Sequence, residues 1–174
     1  MPETMRSTAP ALSLGELVTY ERQELARWAE YFAANPEALD LPFAPGAGSR
    51  MPTVRAVVHH IAGVERRYAD RLEGELPTPF EAIAQEPAEA LFAAARDANA
   101  RLGGWLARAT EEELARVLEF ETISAGTFRA SARKIAAHAL LHGVRTWAQV
   151  ATVLRLNGVP TDGRHDLLFS EALE

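Results

Sequence analysis

Four segments of about twenty residues, each with apolar side chains at intervals of three and four, constrain the fold more than any other feature of this sequence. Such spacing places the apolar residues on one side of an α-helix, and that side must be buried against another element. Prolines and glycines separate the segments. The predicted helices run from Leu14 to Ala34, from Thr53 to about Glu73, from Pro87 to at least Leu106, and from about Ala130 to Leu156.

The ends of these helices carry signals of their own. Ser13 and Glu16 have the spacing of a capping box, Gly74 is a C-terminal stop, and Gly158 after Asn157 suits a left-handed cap. Helices with such boundaries are long enough to pack side by side as a bundle.

The stretch VLEFETISAGTFRAS before the last helix has a different composition. Its phenylalanines, threonines and isoleucine around Ser-Ala-Gly predict a small hairpin or an extended loop. We therefore expect an all-α fold, an up-down four-helix bundle with a short irregular or hairpin segment before the last helix. Residues 1–174 should form a single domain, with a loose N-terminus over residues 1–12 and a C-terminal tail, residues 159–174, that packs on the bundle.

The formal net charge of −6 argues against a general affinity for nucleic acid or for an anionic membrane, since either needs a basic face. The chain has no cysteine, so a metal ion would have to be held by His, Asp, Glu or backbone oxygen. No apolar run approaches the length of a membrane span, and the first residues do not resemble a secretory signal. We therefore expect a cytoplasmic protein.

Three of the predicted helices carry polar residues on or beside their apolar sides. At about 100° per residue, Glu21 lies in the middle of the apolar stripe of the first helix, and His60 lies at the border of the stripe of the second. His138 and His142 share one side of the last helix. A buried carboxylate such as Glu21 needs a partner, because an unpaired buried charge is costly, and it could either pair with an arginine or lie beside a functional site.

His138 and His142 are one helical turn apart, with Cβ atoms roughly 6 Å from each other, so both imidazoles can reach one ion. A nitrogen from His60 would complete three ligands and leave a fourth position open for water or substrate, as in catalytic metal sites. The alternative is that each histidine is partly buried and hydrogen-bonded. His59 and His165 are expected in solvent.

The opposite side of the last helix is also apolar, so this helix is expected to be buried from two directions. One side would meet the bundle, and the other could meet the second subunit of a homodimer. The residues of this possible partner surface are Leu140, Val144, Trp147, Ala151 and Leu154.

Three stretches resemble the DinB/YfiT-like family of metal-dependent proteins, namely LVTYERQELARWAEYF, VRAVVHHIAGVERRYADRL and FRASARKIAAHALLHGVRTWAQVATVLRLNG. The resemblance covers nearly the whole chain and implies a four-helix bundle that is frequently a homodimer. It also implies a divalent metal ion held by one histidine of the second helix and two of the last, near one end of the bundle. His60, directly before IAGVE, matches the second-helix ligand.

The last helix departs from the family pattern, which has a histidine before Gly and another four residues later, ahead of Ala-Gln. His142 matches the first of these, but Thr146 stands at the second. Two interpretations stay open: His138, one turn earlier, replaces the missing ligand, or Thr146 abolishes tight binding. Three imidazoles suit several divalent metals, of which we expect zinc or nickel.

The resemblance implies chemistry on low-molecular-weight thiols, such as those of bacillithiol or mycothiol type, in which a divalent ion lowers the pKa of a bound thiol or water. We therefore expect a thiol S-transferase that joins a small-molecule thiol to an electrophile, or a related metal-dependent hydrolase. Glu21 or Gln149 would orient the bound group. The alternative is a non-catalytic dimeric bundle, a binding or structural protein whose metal site has been lost.

Overall fold

The structure, a computed structural model, describes residues 12–43, 50–122, 126–159, 161 and 163–173. Within these ranges the chain forms five α-helices and one β-hairpin, and short 3₁₀ turns lie in the connections. The elements are α1 (Leu14–Ala34), α2 (Val54–Glu73), α3 (Ala88–Arg108), α4 (Glu111–Ala115), β1 (Val117–Thr122), β2 (Gly126–Ser131) and α5 (Ala132–Leu156).

The helices begin and end where the sequence signals place them. The Ser13 hydroxyl accepts a hydrogen bond from the Glu16 backbone, and the Glu16 carboxylate accepts one from the Ser13 backbone, as a capping box requires. Gly74 after α2 and Gly158 after α5 have φ angles of 81° and 73°, which are left-handed. Glycine tolerates this conformation because it has no Cβ.

The four long helices form a bundle, and a hairpin precedes the last helix, so the predicted fold class is confirmed. Around the bundle, α1 and α2 each pack mainly against α3 and α5. The two helices that are consecutive in sequence, α1 and α2, therefore lie diagonally opposite each other. The consequence for function is that α2 and α5 are neighbours and their side chains can meet.

The hairpin sets the start of α5. Its strands are antiparallel, with Val117 opposite Ser131. The Ser131 hydroxyl caps α5 by accepting a hydrogen bond from the Lys134 backbone N–H. The backbone N–H of Ala132 donates to the carbonyl oxygen of Arg116 at 2.8 Å, which joins the base of the hairpin to the first turn of the helix.

Two clusters of apolar side chains make up the core. One contains Trp28, Phe92 and Trp147, and the other contains Leu102 and Ile135. Trp147 stacks on Trp28 with ring centroids 5.1 Å apart, and it also lies parallel to Phe92 at 6.5 Å. These flat rings seat the second half of α5 in the bundle.

The burial of α5 contradicts the prediction that its apolar stripe contacts a second subunit. Leu140, Trp147 and Leu154 are buried within this one chain, at 0%, 6% and 0% exposure. The stripe that was interpreted as a partner surface is therefore filled by the chain's own core. That interpretation was wrong because the stripe lies between α1 and α2, both of which contact α5.

The C-terminal residues pack along α1. The Tyr20 hydroxyl donates to the carbonyl oxygen of His165 at 2.8 Å, and Gln23 makes hydrogen bonds to the side chain and backbone of Glu171. The imidazole of His165 stacks on Trp28 and contacts the Glu24 carboxylate at 2.9 Å. His165 is therefore not in solvent as predicted. The predicted loose N-terminus, apart from Leu12, lies outside the described residues.

Among the residues that the structure describes, no helix combines the length and apolar character needed to cross a membrane.

Replacement of Trp147 by alanine tests the revised role of the α5 stripe. The loss of a buried ring stacked on two others should lower the free energy of unfolding by about 3–5 kcal/mol, measured by chemical denaturation. Leu156→Ala is the matched control on the same helix, because Leu156 is 81% exposed. A Trp147→Ala protein that keeps its stability and only changes its oligomeric state would restore the subunit-surface interpretation.

Candidate metal centre

The polar sides of α2 and α5 face each other across an open cavity of about 870 Å³. On α2 its wall includes His60 and, one and two turns later, Val64 and Arg67. On α5 it includes His138 and His142. We call this space the histidine cavity. Its full lining is Arg50, Met51, Pro52, Thr53, Ala56, His59, His60, Val64, Arg67, Tyr68, Arg71, Phe80, Glu81, Gln85, Thr122, His138, His142 and Arg145.

The three histidines predicted as ligands lie side by side in this cavity. The ring centroids of His60 and His142 are 5.2 Å apart, and those of His138 and His142 are 6.0 Å apart. Within the described residues, no hydrogen-bond partner is found for the ring nitrogens of these three side chains. The alternative in which each imidazole is saturated by an unrelated acceptor is therefore not what the structure contains.

Electrostatics favour the neutral form of each imidazole. Burial, together with the smaller effects of the nearby His60, His138 and Arg145, lowers the pKa of His142 to about 4. Burial also lowers the pKa of His60 and of His138, although His138 is more exposed than the other two. A neutral imidazole offers a lone pair to a metal ion, so these rings need not first lose a proton near pH 7.

The segment after α2 closes one wall of the cavity. Phe80 lies parallel to the His60 ring at 6.0 Å. It can approach α2 because residue 63 is glycine, where a Cβ would lie 2.3 Å from the Phe80 ring. His59 holds the same segment, since its Nε2–H donates to the carbonyl oxygens of Phe80 and Ile83 at 3.1 and 3.2 Å.

His59 is therefore buried, at 7% exposure, and not in solvent as predicted. Helical geometry correctly placed it away from the apolar stripe of α2. Residues 80–83 then fold over that side of the helix and cover it. Its function in the fold is to attach this segment to α2, and no spacing within α2 could have revealed that.

Thr146 and Gln149 lie outside the cavity lining. Thr146 is rotated about 40° from His142 toward the core, is 4% exposed, and donates its hydroxyl to the His142 carbonyl oxygen at 2.7 Å. Gln149 is exposed and lies about 10 Å further along the helix axis than His142. The structure thus places His138, and not Thr146, beside His142, and it does not place Gln149 where it could orient a bound group.

Glu21 also lies away from the cavity, on the inner side of α5. Its carboxylate rests against Gly143, where a Cβ would come within 2.1 Å of Oε1. Burial and the nearby Glu65 raise its pKa well above the usual value, and the Val144 backbone offsets this only in part. Among the described residues neither carboxyl oxygen makes a well-formed hydrogen bond. Glu21 was expected beside the metal site, and the structure instead places it behind the histidines.

Glu21 belongs to a buried polar layer that was not predicted from the sequence. Glu65 is buried, and burial raises its pKa to about 7, although Asn99 donates a hydrogen bond to it at 3.0 Å. The signal was available, because Glu65 follows Ile61 by one turn on the apolar stripe of α2. This layer of Glu21, Glu65 and Asn99 comes between the two apolar clusters on each of the three helices.

The histidine cavity partly fits a metal ion. Two imidazoles that share one tetrahedral ion have ring centres roughly 5 Å apart, given metal–nitrogen bonds of about 2 Å. The pair of His60 and His142 meets this condition, and His138 lies slightly further from His142. In the described part of the chain, no three His, Asp or Glu side chains are already close enough to hold one ion. The donors are thus of the right type and adjacent, with His138 the one that would have to move.

Comparison with known proteins gives a family and a fold. The profile of the DinB family matches residues 9–172. Among solved structures, YfiT from Bacillus subtilis, described as a probable metal-dependent hydrolase with an unusual four-helix bundle topology, superimposes with a TM-score of 0.66. The two chains are 16% identical, and the match covers 90% of this chain and 94% of YfiT. Among curated proteins, none matches the sequence.

The lowered pKa of His142 can be measured directly in the metal-free protein. In an NMR titration its imidazole should stay neutral down to about pH 4, whereas an unperturbed histidine titrates near pH 6.5. The His60 and His138 imidazoles should also titrate below the unperturbed value. A normal pKa at His142 would show that its ring is solvated and does not lie in the cavity wall.

The buried carboxyl layer should make stability depend on pH. Because the pKa values of Glu21 and Glu65 are raised in the folded state, the native protein keeps protons that the unfolded chain loses above its ordinary pKa. Stability from this source is present below about pH 4.5 and is lost as the pH rises through about 7. Glu21→Gln, which carries no charge, should unfold at higher denaturant concentration than wild type near pH 8, and this gain should shrink near pH 5. Equal effects at both pH values would contradict a protonated Glu21.

Proposed function

Since this chain belongs to the DinB family, we propose that it is a divalent-metal-dependent enzyme whose metal ligands are His60, His142 and His138. The finer proposal is a low-molecular-weight thiol S-transferase, in which an activated thiolate attacks a small electrophile. A metal-dependent hydrolase is the related reaction at the same centre. We propose zinc or nickel as the metal, because neutral imidazoles suit both.

One observation carries this proposal. His60 and His142 come from different helices, lie 5.2 Å apart between ring centroids, and have no hydrogen-bond partner at their ring nitrogens among the described residues. The part of the protein that the structure describes does not use these ring nitrogens, and both rings line an open cavity, so they are available to a metal ion. The similarity in fold to YfiT, which is described as a probable metal-dependent hydrolase, supports metal dependence in general.

Some residues of the cavity would bind the metal ion, and others would shield it from water. A bound divalent cation supplies a Lewis acid that lowers the pKa of a thiol or water near it. The imidazoles remain neutral and keep their lone pairs for binding. Phe80 stacks beside His60 and limits the approach of water from that side, and Tyr68, 5.3 Å from the His138 ring, covers the other end. The cavity, about 870 Å³, is large enough for a small thiol together with an electrophile.

A second candidate function is a non-catalytic dimeric bundle that has lost its metal site. Thr146 favours it, because this residue occupies the usual position of a family histidine and its hydroxyl is bonded to the His142 carbonyl. His138 is also further from His142 than His60 is. Under this proposal the bundle would act as a binding or structural protein.

A homodimer and a cytoplasmic location are further predictions. Sedimentation equilibrium of the purified chain measures the first, and cell fractionation measures the second. Neither bears on the choice between the two functions above, because both functions are compatible with a dimer.

Metal content tests the proposed centre. Purified without a histidine tag and incubated with zinc or nickel, the wild-type protein should contain about one ion per chain. His142→Ala and His60→Ala should each weaken metal binding by at least about tenfold, because each removes a ligand. His138→Ala decides whether the third nitrogen takes part. The measurement is metal analysis after dialysis, with a competition titration for affinity.

Two variants serve as controls. Gln149→Ala should keep the metal, because Gln149 is exposed and lies outside the cavity. Thr146→His should gain no affinity, because the new side chain would face the core and would replace a buried hydroxyl. A large gain in Thr146→His, or a wild-type chain that stays empty, would favour the bundle that has lost its site.

A further inference from the structure

We propose that the histidine cavity recognises an anionic small molecule, and that Arg67 and Arg71 bind its carboxylate or phosphate group. The proposal rests on the proposed function only in taking the cavity as the reaction site. It goes further by giving the chemical class of the substrate. A neutral thiol of the same size would then be a poor ligand, and an acidic thiol a good one.

The charge of the cavity is opposite to that of the protein. The chain has a net charge of −6, yet the cavity wall includes four arginines and a single acidic residue, Glu81. The arginines are Arg50, Arg67, Arg71 and Arg145. A concave surface with charges of one sign concentrates its field and attracts ligands of the other sign. The local charge therefore selects anions although the whole molecule would repel them.

Arg67 and Arg71 are held in place by neutral groups. Arg67 donates to the carbonyl oxygen of Thr78 at 2.7 Å and lies over the Phe80 ring at 5.1 Å. Arg71 donates to the carbonyl oxygen of Glu121 at 3.2 Å and lies over the rings of Tyr68 and Phe120, at 5.4 and 5.0 Å. Carbonyl oxygens and ring faces orient a guanidinium group and leave its full charge in place.

Six other arginines of the described chain are paired with carboxylates. Arg66, the neighbour of Arg67 on α2, pairs with Asp70 at 3.0 Å, and Arg101 pairs with Glu75 at 2.5 Å. Arg27, Arg55, Arg108 and Arg129 also contact carboxylates. Among the described residues, neither Arg67 nor Arg71 has a carboxylate oxygen within salt-bridge distance. Two adjacent guanidinium groups without acidic partners, both in the wall of one cavity, can bind an external carboxylate or phosphate.

The surroundings of Arg71 support this conclusion. Its pKa is lowered first by burial and then by the charge of Arg67, while Tyr68 and Asp70 have smaller effects in the opposite direction, so the two cations destabilise each other. A smaller cleft of about 470 Å³ borders the same arginines and includes Glu75, Glu119 and Glu121. Within the described chain, none of these three glutamates forms an ion pair with Arg67 or Arg71. An anion in the histidine cavity would relieve the repulsion between them.

One molecule can reach both the arginines and the histidines. The Tyr68 ring is near both groups, with its centroid 5.3 Å from the His138 ring and 5.4 Å from the guanidinium carbon of Arg71. A ligand lying along Tyr68 would place its anionic group at Arg71 and its reactive end at the imidazoles. A carboxylate-bearing thiol of low molecular weight has these two ends.

The first test uses inorganic phosphate and protein treated with a chelator, so that arginine binding is separated from metal binding. Calorimetric titration should give saturable binding that weakens as sodium chloride is added. Arg71→Gln and Arg67→Gln should each weaken it roughly tenfold, the usual effect of one charge-assisted hydrogen bond. Arg129→Gln is the matched control, because Arg129 is exposed, already paired with Glu119 and absent from the cavity wall.

The second test compares two thiols that differ by one charge, N-acetylcysteine and its amide. Wild-type protein should bind the acid at least about tenfold more tightly than the neutral amide, and Arg71→Gln should remove this preference. Circular dichroism checks that each variant is folded. If Arg71→Gln does not fold, Arg67→Gln and the comparison of the two thiols on wild-type protein decide the question.

Each outcome has one meaning. Equal affinity for the acid and the amide, or equal loss in Arg129→Gln and Arg71→Gln, would overturn the anionic class. Phosphate binding by a chain that takes up no metal would support the anion site while contradicting the proposed function. Metal uptake without phosphate or acid preference would do the reverse, so the two failures are distinguishable.

Discussion

The packing of α2 against α5 is the contact on which the rest of this structure depends. It sets His60 beside His142, because each residue lies at the edge of its helix's buried face and not at its centre. Trp147 stabilises this arrangement by stacking on Trp28 and lying parallel to Phe92, which holds α5 in the bundle. Because the buried face of α5 packs in the core, the adjacent side of the helix is free to line the cavity.

Polar groups are separated on the two sides of α5. Toward the core, Glu21 rests on Gly143 and shares a buried layer with Glu65, where burial favours protonated carboxyl groups. Toward the cavity, His142 and Arg145 stand among neutral imidazoles and arginines. Burial acts in opposite directions on the two kinds of group, because it always disfavours the charged form. In the interior the carboxyl groups of Glu21 and Glu65 therefore tend to be protonated, while in the cavity the imidazoles tend to be neutral.

This arrangement constrains how the site can bind a cation. A divalent ion at His60 and His142 would add positive charge to a wall that already contains several arginines. An anionic ligand would offset that charge, so metal and anion would assist each other's binding. The segment that contains Phe80, which His59 attaches to α2, shields His60 and His142 from water on one side.

Much of the fold and part of the site follow from the sequence alone. The apolar periodicity, the caps at Ser13 and Gly74, and the hairpin composition determined the four long helices and the hairpin, since these signals are local. The helical angle also predicted on which side of α2 His60 lies, because the apolar stripe defines a direction within one helix. The same rule failed for His59, since residues 80–83 cover a side of α2 that its own sequence leaves open.

Tertiary structure decided what lies opposite each helix face. It assigned Trp147 to the chain's own core, moved Glu21 behind the histidines, and brought His138 instead of Thr146 to the cavity. It also showed that Arg67 and Arg71 have no carboxylate partner among the described residues, while Arg66 beside them does. Sequence spacing reports the direction of a side chain, but only the packing of helices shows which group it meets.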